Sequence, residues 1–316
     1  MKAAYFMKNG GPEVMEYGDV SDPVATPGEV VIDVHAASVN GADWKVRAGA
    51  YAPTTRFPYI PGRDFSGVVS VLGAGVRDFA VGDAVFGVCE ANREAMYAEK
   101  ISISASIVAR KPAKLTHIES AAVALIGLTA IRSIEDTLQL KSGETILIQG
   151  GAGGVASFAI QFAKHIGARV ITTASAANHN YLRSLGADQI IDYNKQDFTK
   201  LVAGCDAVFD TVGGEVTQRS FAVLRPGGRA AFIASGKAAP APLRTDVKSL
   251  RPDVARSRVH LDRIAALVTS GVVRIPEITV YALSEAAAAH AVSEGRHLRG
   301  KLVFKVRDTT YGQARS

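Results

Sequence analysis

One stretch, residues 145–173, constrains the fold more than any other part of the sequence. It begins with a short apolar and β-branched run, TILIQ, which is typical of a buried parallel strand. The glycine-rich sequence GGAGG follows, and then a helical pattern with one apolar stripe that ends at Gly167. A second strand-like run, RVITT, completes the stretch. The order of strand, glycine turn, helix and strand predicts a βαβ unit of a parallel sheet.

In this setting the glycine turn indicates a dinucleotide site, with a merely structural βαβ turn as the alternative. Gly151 permits the tight turn, and Gly153 lets the backbone approach a pyrophosphate. Ala156 takes the third position, where glycine is usual because the helix lies close to the strand. We expect the first helical N–H groups, from Gly154 and Val155 onward, to point at the phosphates together with the helix dipole.

Composition permits a full core and excludes several classes of protein. The chain has 316 residues, of which 47% are hydrophobic and 21% charged, enough for two domains. The N-terminal sequence MKAAYFMKNGGPEV has no apolar signal-peptide core, and no window holds the ~18 consecutive apolar residues of a membrane span. Only Cys89 and Cys205 occur, which excludes a disulfide framework and a four-cysteine zinc lobe. We expect two inert thiols in a cytoplasmic protein without a membrane span.

The net charge of +6 is concentrated partly in the second half of the chain. A basic stretch can bind nucleic acid, form a solvated face or attract an anionic cofactor. No aromatic residues are interleaved to stack bases, so we do not expect nucleic-acid binding. The basic cluster consists of Arg244, Lys248, Arg251, Arg256, Arg258 and Arg263.

The remaining segments predict an α/β protein built from two different modules. Residues 38–87 are dense in glycine and proline turns between short strands, which favours a compact, partly β-barrel module. After residue 145, strands at 189–193, 207–211 and 229–234 alternate with helices, as in a doubly wound parallel sheet with right-handed crossovers. Residues 237–259 are predicted to form a loop, and residues 301–306 a final strand.

Eight short motifs are distributed along the chain: SVNGADWKVRAGAY, PYIPGRDFSGVV, IGLTA, IQGGAGGVAS, LGADQIIDY, DTVGG, RPGGR and RGKLVFKV. Together they resemble the medium-chain dehydrogenase/reductase superfamily, and within it the zinc-independent branch of NADPH:quinone oxidoreductases and enoyl reductases. The resemblance implies a GroES-like catalytic domain formed by residues 1–121 and 259–316. It also implies a Rossmann NADPH-binding domain formed by residues 122–258.

The resemblance argues against zinc. Zinc-dependent members carry a histidine in a G-H-E motif, and the matching stretch here is Gly62-Arg63-Asp64. The usual upstream cysteine ligand is replaced by the Val39-Asn40 region, and arginine does not coordinate metals at neutral pH. Metal-free activity is therefore expected, with a zinc alcohol dehydrogenase as the weaker alternative. Arg63 and Asp64 are expected to pair with each other and to hold a loop.

The end of the second strand favours NADPH as the cofactor. NAD-specific folds carry an acid there to bind the ribose hydroxyls, but this strand ends TTAS without one. The absence of a carboxylate admits a 2′-phosphate, and Ser175, Asn178 and His179 offer neutral or switchable donors. Many relatives place a lysine or arginine in this loop, whereas this chain has none before Arg183.

The resemblance implies further contacts to the cofactor. Thr129 is expected near the nicotinamide and phosphates, and Tyr193 at the adenosine end unless it is only a strand-end aromatic. Lys301 is expected to reach the cofactor from the other domain unless it is a solvated charge. The remaining predicted contacts follow strands at their carboxyl ends, where open α/β sheets bind ligands: Gly213, Ser235 and Gly236.

The chemistry implied by the resemblance is hydride transfer to quinones or to α,β-unsaturated carbonyl compounds. Tyr51 matches a proposed proton donor, and its alternative role is a wall of the pocket. Asn40 matches an asparagine near the nicotinamide whose amide donates to the substrate oxygen, and its alternative role is a turn residue. Quinone reduction needs no dedicated acid, so both acceptor classes stay open.

The sequence also bears on the oligomeric state and on an alternative to enzymatic function. Strand 229–234, RAAFIA, is short and apolar, and its exposed edge predicts a symmetric homodimer through the Rossmann sheet. A non-catalytic NADPH-binding protein, structural or RNA-binding, is the alternative to an enzyme.

Overall fold

A computed structural model of the chain describes residues 1–50, 54, 56–91, 93–236 and 238–307. The chain forms two compact units. The first unit comprises Met1–Leu125, Arg256–Ala265 and Ile278–Ser316, and the second comprises Ile126–Ala255 and Ala266–Glu277.

The strands of the described residues are, in chain order, β1 (Lys2–Phe6), β2 (Met15–Asp19), β3 (Glu29–Val39), β4 (Asp64–Leu72), β5 (Ala84–Val88), β6 (Lys100–Ser104), β7 (Val108–Arg110), β8 (Thr145–Gln149), β9 (Arg169–Ala174), β10 (Gln189–Asp192), β11 (Cys205–Asp210), β12 (Leu224–Phe232), β13 (Lys248–Leu250), β14 (Ile278–Ala282) and β15 (Lys301–Lys305). The α-helices are α1 (Gly41–Arg47), α2 (His117–Ile131), α3 (Gly154–Ile166), α4 (His179–Ser184), α5 (Phe198–Leu201), α6 (Glu215–Phe221), α7 (Arg258–Thr269) and α8 (Ala286–Glu294).

The first unit is built on a seven-stranded sheet in the order β14-β15-β3-β4-β5-β7, with β6 also paired to β3. All of its pairings are antiparallel except that of β14 with β15. The long strand β3 organises this sheet, because it pairs with β4, β6 and β15. Phe65 and Phe304, both fully buried, lie in the core that the sheet encloses.

The second unit is a six-stranded parallel sheet in the order β10-β9-β8-β11-β12-β13. Counted within the unit, this is the order 3-2-1-4-5-6, in which the strand order reverses between β8 and β11. One side of the sheet buries Leu147, Val208 and Phe232 in a continuous apolar cluster. The predicted α/β class with a doubly wound parallel sheet is confirmed.

Two predictions about the edge of this sheet are wrong. Residues 229–232 belong to β12, which pairs with β11 on one side and with β13 on the other, so that strand is not an edge. The predicted loop 237–259 contains the strand that forms the edge next to β12, Lys248–Leu250. This strand has only three residues, of which Lys248 is exposed and the next two are half-buried, so it gives no apolar strand signal.

The division of the chain also differs from the predicted limits: the boundaries lie at 125 rather than 121 and at 256 rather than 259, and one whole segment is grouped differently. Ala266–Glu277 groups with the second unit, whereas the sequence placed it in the catalytic domain. Gln161 of α3 explains the attachment, because its side chain bonds both backbone groups of Arg274: Oε1 accepts from the N–H at 2.9 Å and Nε2 donates to the carbonyl at 3.3 Å.

The helical segment His117–Thr137, α2 with a π-helical end, is long and apolar enough to cross a membrane by length and composition. Most of it is buried within the protein. Core helices meet the same criteria, so this is weak evidence for a membrane span.

The basic cluster of residues 244–263 is largely engaged within the protein. Arg244 pairs with Asp246, and Arg258 with Asp78. Arg251 donates to the carbonyl of Phe232 at 3.4 Å. These three arginines bind groups of the protein itself, so much of the local positive charge serves the fold.

Candidate active site

The glycine turn lies between β8 and α3 in the second unit. Gly150 has φ +73°, the left-handed region that favours glycine. Gly151 has an ordinary φ, and a Cβ there would lie 2.3 Å from Thr172 Oγ1 and 3.1 Å from the side chain of Leu182. The predicted reason for Gly151 is therefore corrected: Gly150 makes the turn, and Gly151 is required by packing against β9.

Gly153 has a different role from its neighbours. Its φ of −71° suits any residue, and a Cβ there would contact only the carbonyl oxygen of Gly150, at 3.5 Å. The fold thus does not need a glycine at this position. Gly153 is also the N-cap of α3 and supplies no side-chain cap. The N–H groups of the first helical turn, including those of Gly154 and Val155, have no intrahelical acceptor and suit an anion.

The next turn along the same sheet edge is held by Asp210, the last residue of β11. Its carboxylate is 1% exposed and accepts from the N–H groups of Val212 at 2.8 Å and Gly213 at 3.0 Å. The other oxygen accepts from Thr217 Oγ1 at 2.7 Å. Gly213 has φ +78°, so glycine is favoured there on backbone grounds.

The loops after β9, β10 and β12 carry the other predicted cofactor residues of this unit. Ser175 Oγ accepts from Asn178 Nδ2 at 3.1 Å, and Tyr193 is 49% exposed. Ser235 donates to the carbonyl of Ala238 at 3.2 Å, and Gly236 has φ +86°. Their placement after the carboxyl ends of parallel strands is the usual ligand-binding edge of such a sheet. Their contacts to a cofactor stay predictions.

In the described part of the chain, no exposed carboxylate follows β9 in the position where NAD-specific folds bind the ribose hydroxyls. Strand β9 ends at Ala174 and is followed by Ser175. Asp192, at the end of β10, is 6% exposed and accepts from the N–H of Asn194 at 3.1 Å. The carboxylate that could repel a 2′-phosphate is thus turned into its own loop. Thr129 lies within α2 and is buried.

In the first unit, Asn40 lies between a buried cation and a buried anion. Its Oδ1 accepts from Lys301 Nζ at 2.8 Å, and its Nδ2 donates to Asp64 Oδ1 at 2.8 Å and to the carbonyl of Ser38 at 3.3 Å. Both amide hydrogens are therefore engaged. Donation to a substrate oxygen, as predicted, would require Asn40 to give up one of these bonds.

Lys301 is only 3% exposed, and its ammonium also donates to the carbonyl of Val39 at 2.7 Å. It is neither a solvated charge nor free to extend from the fold, which corrects the sequence-based alternative. Burial lowers the pKa of Lys301 and raises the pKa of Asp64, while the attraction between the two charges opposes both shifts.

Arg63 and Asp64 do not pair with each other, so that prediction is wrong. Asp64 begins β4 and accepts from Ser38 Oγ at 2.7 Å. Arg63 instead lies 3.3 Å from Asp43 Oδ1 and 3.0 Å from Glu94 Oε1. Consecutive residues entering a strand project to opposite faces, which separates the two side chains.

Asp43 is a second buried carboxyl of this cluster with a raised pKa. It is 1% exposed, and burial raises its pKa to about 6 although Arg63 pulls in the other direction. Tyr97 Oη donates to it at 2.7 Å, and the N–H of Asn40, the N-cap of α1, donates to it at 2.9 Å. The carboxylate thus fixes Asn40 through the backbone while Asp64 and Lys301 fix it through the side chain.

The residues at the zinc-ligand positions do not suit a metal. The Arg63 cation stands where zinc-dependent relatives have histidine, and its charge is matched by Asp43 and Glu94. Within the described residues there is no group of three or more His, Cys, Asp or Glu side chains that could hold a metal ion.

Both cysteines are free and buried, and burial raises the pKa of Cys89 to about 12 and that of Cys205 to about 11. Neither thiol forms a thiolate nucleophile at neutral pH. Tyr51, the predicted proton donor, lies outside the described residues, so its role stays a prediction.

A parallel sheet in this order, with a glycine turn at its switch point, defines a dinucleotide-binding fold. The family described as "Alcohol dehydrogenase GroES-like domain" matches residues 26–113, and the family described as "Zinc-binding dehydrogenase" matches residues 185–304. The NADPH-dependent alkenal/one oxidoreductase of Arabidopsis thaliana chloroplasts is 32% identical over 315 residues, covering 96% of this chain and 79% of that protein.

Solved structures agree with this relationship. The quinone oxidoreductase from Coxiella burnetii has a TM-score of 0.88 at 35% identity, covering 97% of this chain and 99% of that one. The Escherichia coli quinone oxidoreductase, solved in complex with NADPH, has a TM-score of 0.89 at 26% identity, with 97% and 100% covered. The chain belongs to the medium-chain dehydrogenase/reductase superfamily, among its quinone oxidoreductases and enone reductases.

Proposed function

We propose that this protein is an NADPH-dependent, zinc-independent oxidoreductase that transfers a hydride to quinones or α,β-unsaturated carbonyl compounds. The observation that carries the proposal is the N-terminus of α3, where Gly153 leaves the first N–H groups uncovered. The fold does not require glycine at this position, because a Cβ would fit there. The family relationship supplies the acceptor classes, because its members here include quinone oxidoreductases and an alkenal/one oxidoreductase.

The nicotinamide, when bound, supplies the hydride. The protein binds the pyrophosphate at the first turn of α3, where Gly154 and Val155 present backbone N–H groups and the helix dipole favours negative charge. Ser175 and Asn178 after β9 leave room for a 2′-phosphate without a repelling carboxylate. In the first unit, hydrogen bonds to Asp64 and Lys301 hold the side chain of Asn40 in one position.

The deciding experiment is oxidation of NADPH and of NADH, followed in parallel with a panel of quinones, enones and enals. We expect turnover with at least one acceptor class and a lower KM for NADPH than for NADH. Binding of NADPH without turnover of any acceptor would support the non-catalytic alternative.

Tyr51 separates the two acceptor classes. An enolate must be protonated at carbon, so Tyr51→Phe should lower enone turnover by ~10²–10⁴, the usual worth of a general acid. Quinone turnover should fall much less, because water can protonate a hydroquinone oxygen. An equal loss with both acceptors would make Tyr51 a positioning residue, and no loss would favour quinones as the natural class.

A homodimer through the sheet edge remains part of the proposal, with its location revised. The edge strand on this side is Lys248–Leu250 rather than residues 229–234. Pairing of this strand with its twin would cover the exposed backbone groups of the edge. Sedimentation of the protein at micromolar concentration tests this: a monomer would refute it, and a dimer broken by Ser249→Pro would support it.

A further inference from the structure

Two buried polar side chains lie directly beneath the glycine turn, and no sequence motif identifies either of them. Gln149, the last residue of β8, is 2% exposed, and Thr173, near the end of β9, is 3% exposed. Polar groups at such depth need hydrogen-bond partners. The partners that they have link the two strand ends to the turn.

The amide of Gln149 is fixed at both of its ends. Its Oε1 accepts from Thr173 Oγ1 at 2.7 Å, and its Nε2 donates to Ser220 Oγ at 3.2 Å. Ser220 in turn donates to the carbonyl of Val216, one turn earlier in α6, at 2.9 Å. The direction of each bond is thereby set, because a carbonyl oxygen can only accept.

This direction determines what the hydroxyl of Thr173 can do. Its single proton goes to Gln149, so its oxygen is left as an acceptor, and it accepts from the N–H of Gly150 at 3.1 Å. The main-chain carbonyl of Thr173 accepts from the N–H of Gly151 at 2.9 Å. One residue of β9 therefore holds two consecutive N–H groups of the turn.

From this arrangement we propose that Gln149 and Thr173 are positioning residues for the cofactor. They fix the peptide planes on both sides of Gly150 in the left-handed conformation, and so aim the start of α3 before NADPH arrives. The inference rests on the proposed binding of NADPH. A turn held in its bound shape saves the ordering free energy that a loose turn would spend on binding.

The test compares Thr173→Val with Thr173→Ser, by titration of NADPH fluorescence. Valine has nearly the shape of threonine but leaves the Gly150 N–H and the Gln149 carbonyl unpaired, so we expect the Kd for NADPH to rise about tenfold. Serine retains the hydroxyl and should restore most of the affinity. Equal affinity of the valine variant and the parent would overturn the inference.

Two further measurements separate positioning from general destabilisation. Adenosine 2′-monophosphate carries neither phosphate of the pyrophosphate, so its Kd should stay within about twofold in Thr173→Val; an equal loss for this fragment would overturn the inference. Gln149→Leu is paired with Gln161→Leu, because Gln161 is also a buried glutamine of this unit but lies away from the turn. Only Gln149→Leu should weaken NADPH binding, and equal weakening by both would contradict the proposal.

The two hypotheses fail in different ways. If the parent protein does not bind NADPH, the proposed function fails. If the parent binds NADPH and the valine and leucine variants bind it as tightly, only the positioning role fails. Should Thr173→Val not fold, the comparison of the two leucine variants decides the question.

Discussion

Replacement of Gly153 by valine tests whether this glycine serves the cofactor rather than the fold. Gly153 has φ −71° and ψ 157°, a conformation open to β-branched residues. A Cβ at this position meets only the Gly150 carbonyl, at the ordinary distance of 3.5 Å. We therefore expect Gly153→Val to fold and to lose only about 1 kcal/mol of stability, because valine is a poorer N-cap than glycine.

The same side chain would stand in front of the N–H groups that begin α3. A phosphate displaced from one N–H loses a charge-assisted hydrogen bond worth ~1.5–3 kcal/mol. That loss corresponds to a rise in the Kd for NADPH of roughly 10–150-fold. Nicotinamide fluorescence gives the Kd, and urea unfolding gives the free energy of unfolding on the same samples.

Gly151→Ala is the matched control with the opposite expectation. Its Cβ would lie 2.3 Å from Thr172 Oγ1, so the chain must shift, at a cost of about 1–3 kcal/mol in stability. The reasoning is refuted if folded Gly153→Val binds NADPH as tightly as the parent. It is equally refuted if Gly151→Ala proves as stable as the parent.

Three further predictions concern the first unit. Because Arg63 occupies the position of a zinc ligand, activity should survive a chelator, and metal analysis should find no stoichiometric zinc; loss of activity with recovery on added zinc would contradict this. Asp43 has its pKa raised to about 6 by burial, so its contribution to stability is full below about pH 4 and is lost as the pH rises through 6. Relative to Asp43→Asn, the free energy of unfolding of the parent should fall by about 2 kcal/mol between pH 4 and pH 7 in urea titrations, and parallel pH curves would refute it. Lys301→Met leaves the buried Asp64 uncompensated and should destabilise by ~3–5 kcal/mol, and addition of Asp64→Asn should recover part of that loss; a double variant no more stable than Lys301→Met would count against it.

Local patterns predicted the second unit well, because its strands, glycine turn and helices each have a recognisable short sequence pattern. The run TILIQ, the glycines after it and the helix ending at Gly167 form β8, the turn and α3 as expected. Strand positions such as 189–193 also agree with β10 within one residue. In this βαβ unit only one turn and one helix separate the paired strands, as Thr145 of β8 pairs with Arg169 of β9, so the strand–helix–strand pattern can be predicted from the sequence order.

Features that depend on distant partners could not be predicted in this way. Strand β13 carries no apolar pattern and exists because β12 offers it an edge. Lys301 is charged, and only its hydrogen bonds to the carbonyl of Val39 and to Asn40, both far away in sequence, show that it is buried. In the sequence, Gln149 and Thr173 are ordinary polar residues near strand ends. Their hydrogen bond is apparent only from the pairing of β8 with β9.

The position of β15 has a consequence for how the chain is made. Residues 301–305 are inserted between β14 and β3, so the sheet of the first unit lacks an inner strand until they are synthesised. Most of the second unit, Ile126–Ala255, leaves the ribosome earlier as one continuous segment. During translation the dinucleotide fold can thus form first, while β3 waits with the unpaired edge of residues 36–39. A nascent chain that stalls before residue 301 would expose that edge and would be a natural target for chaperones.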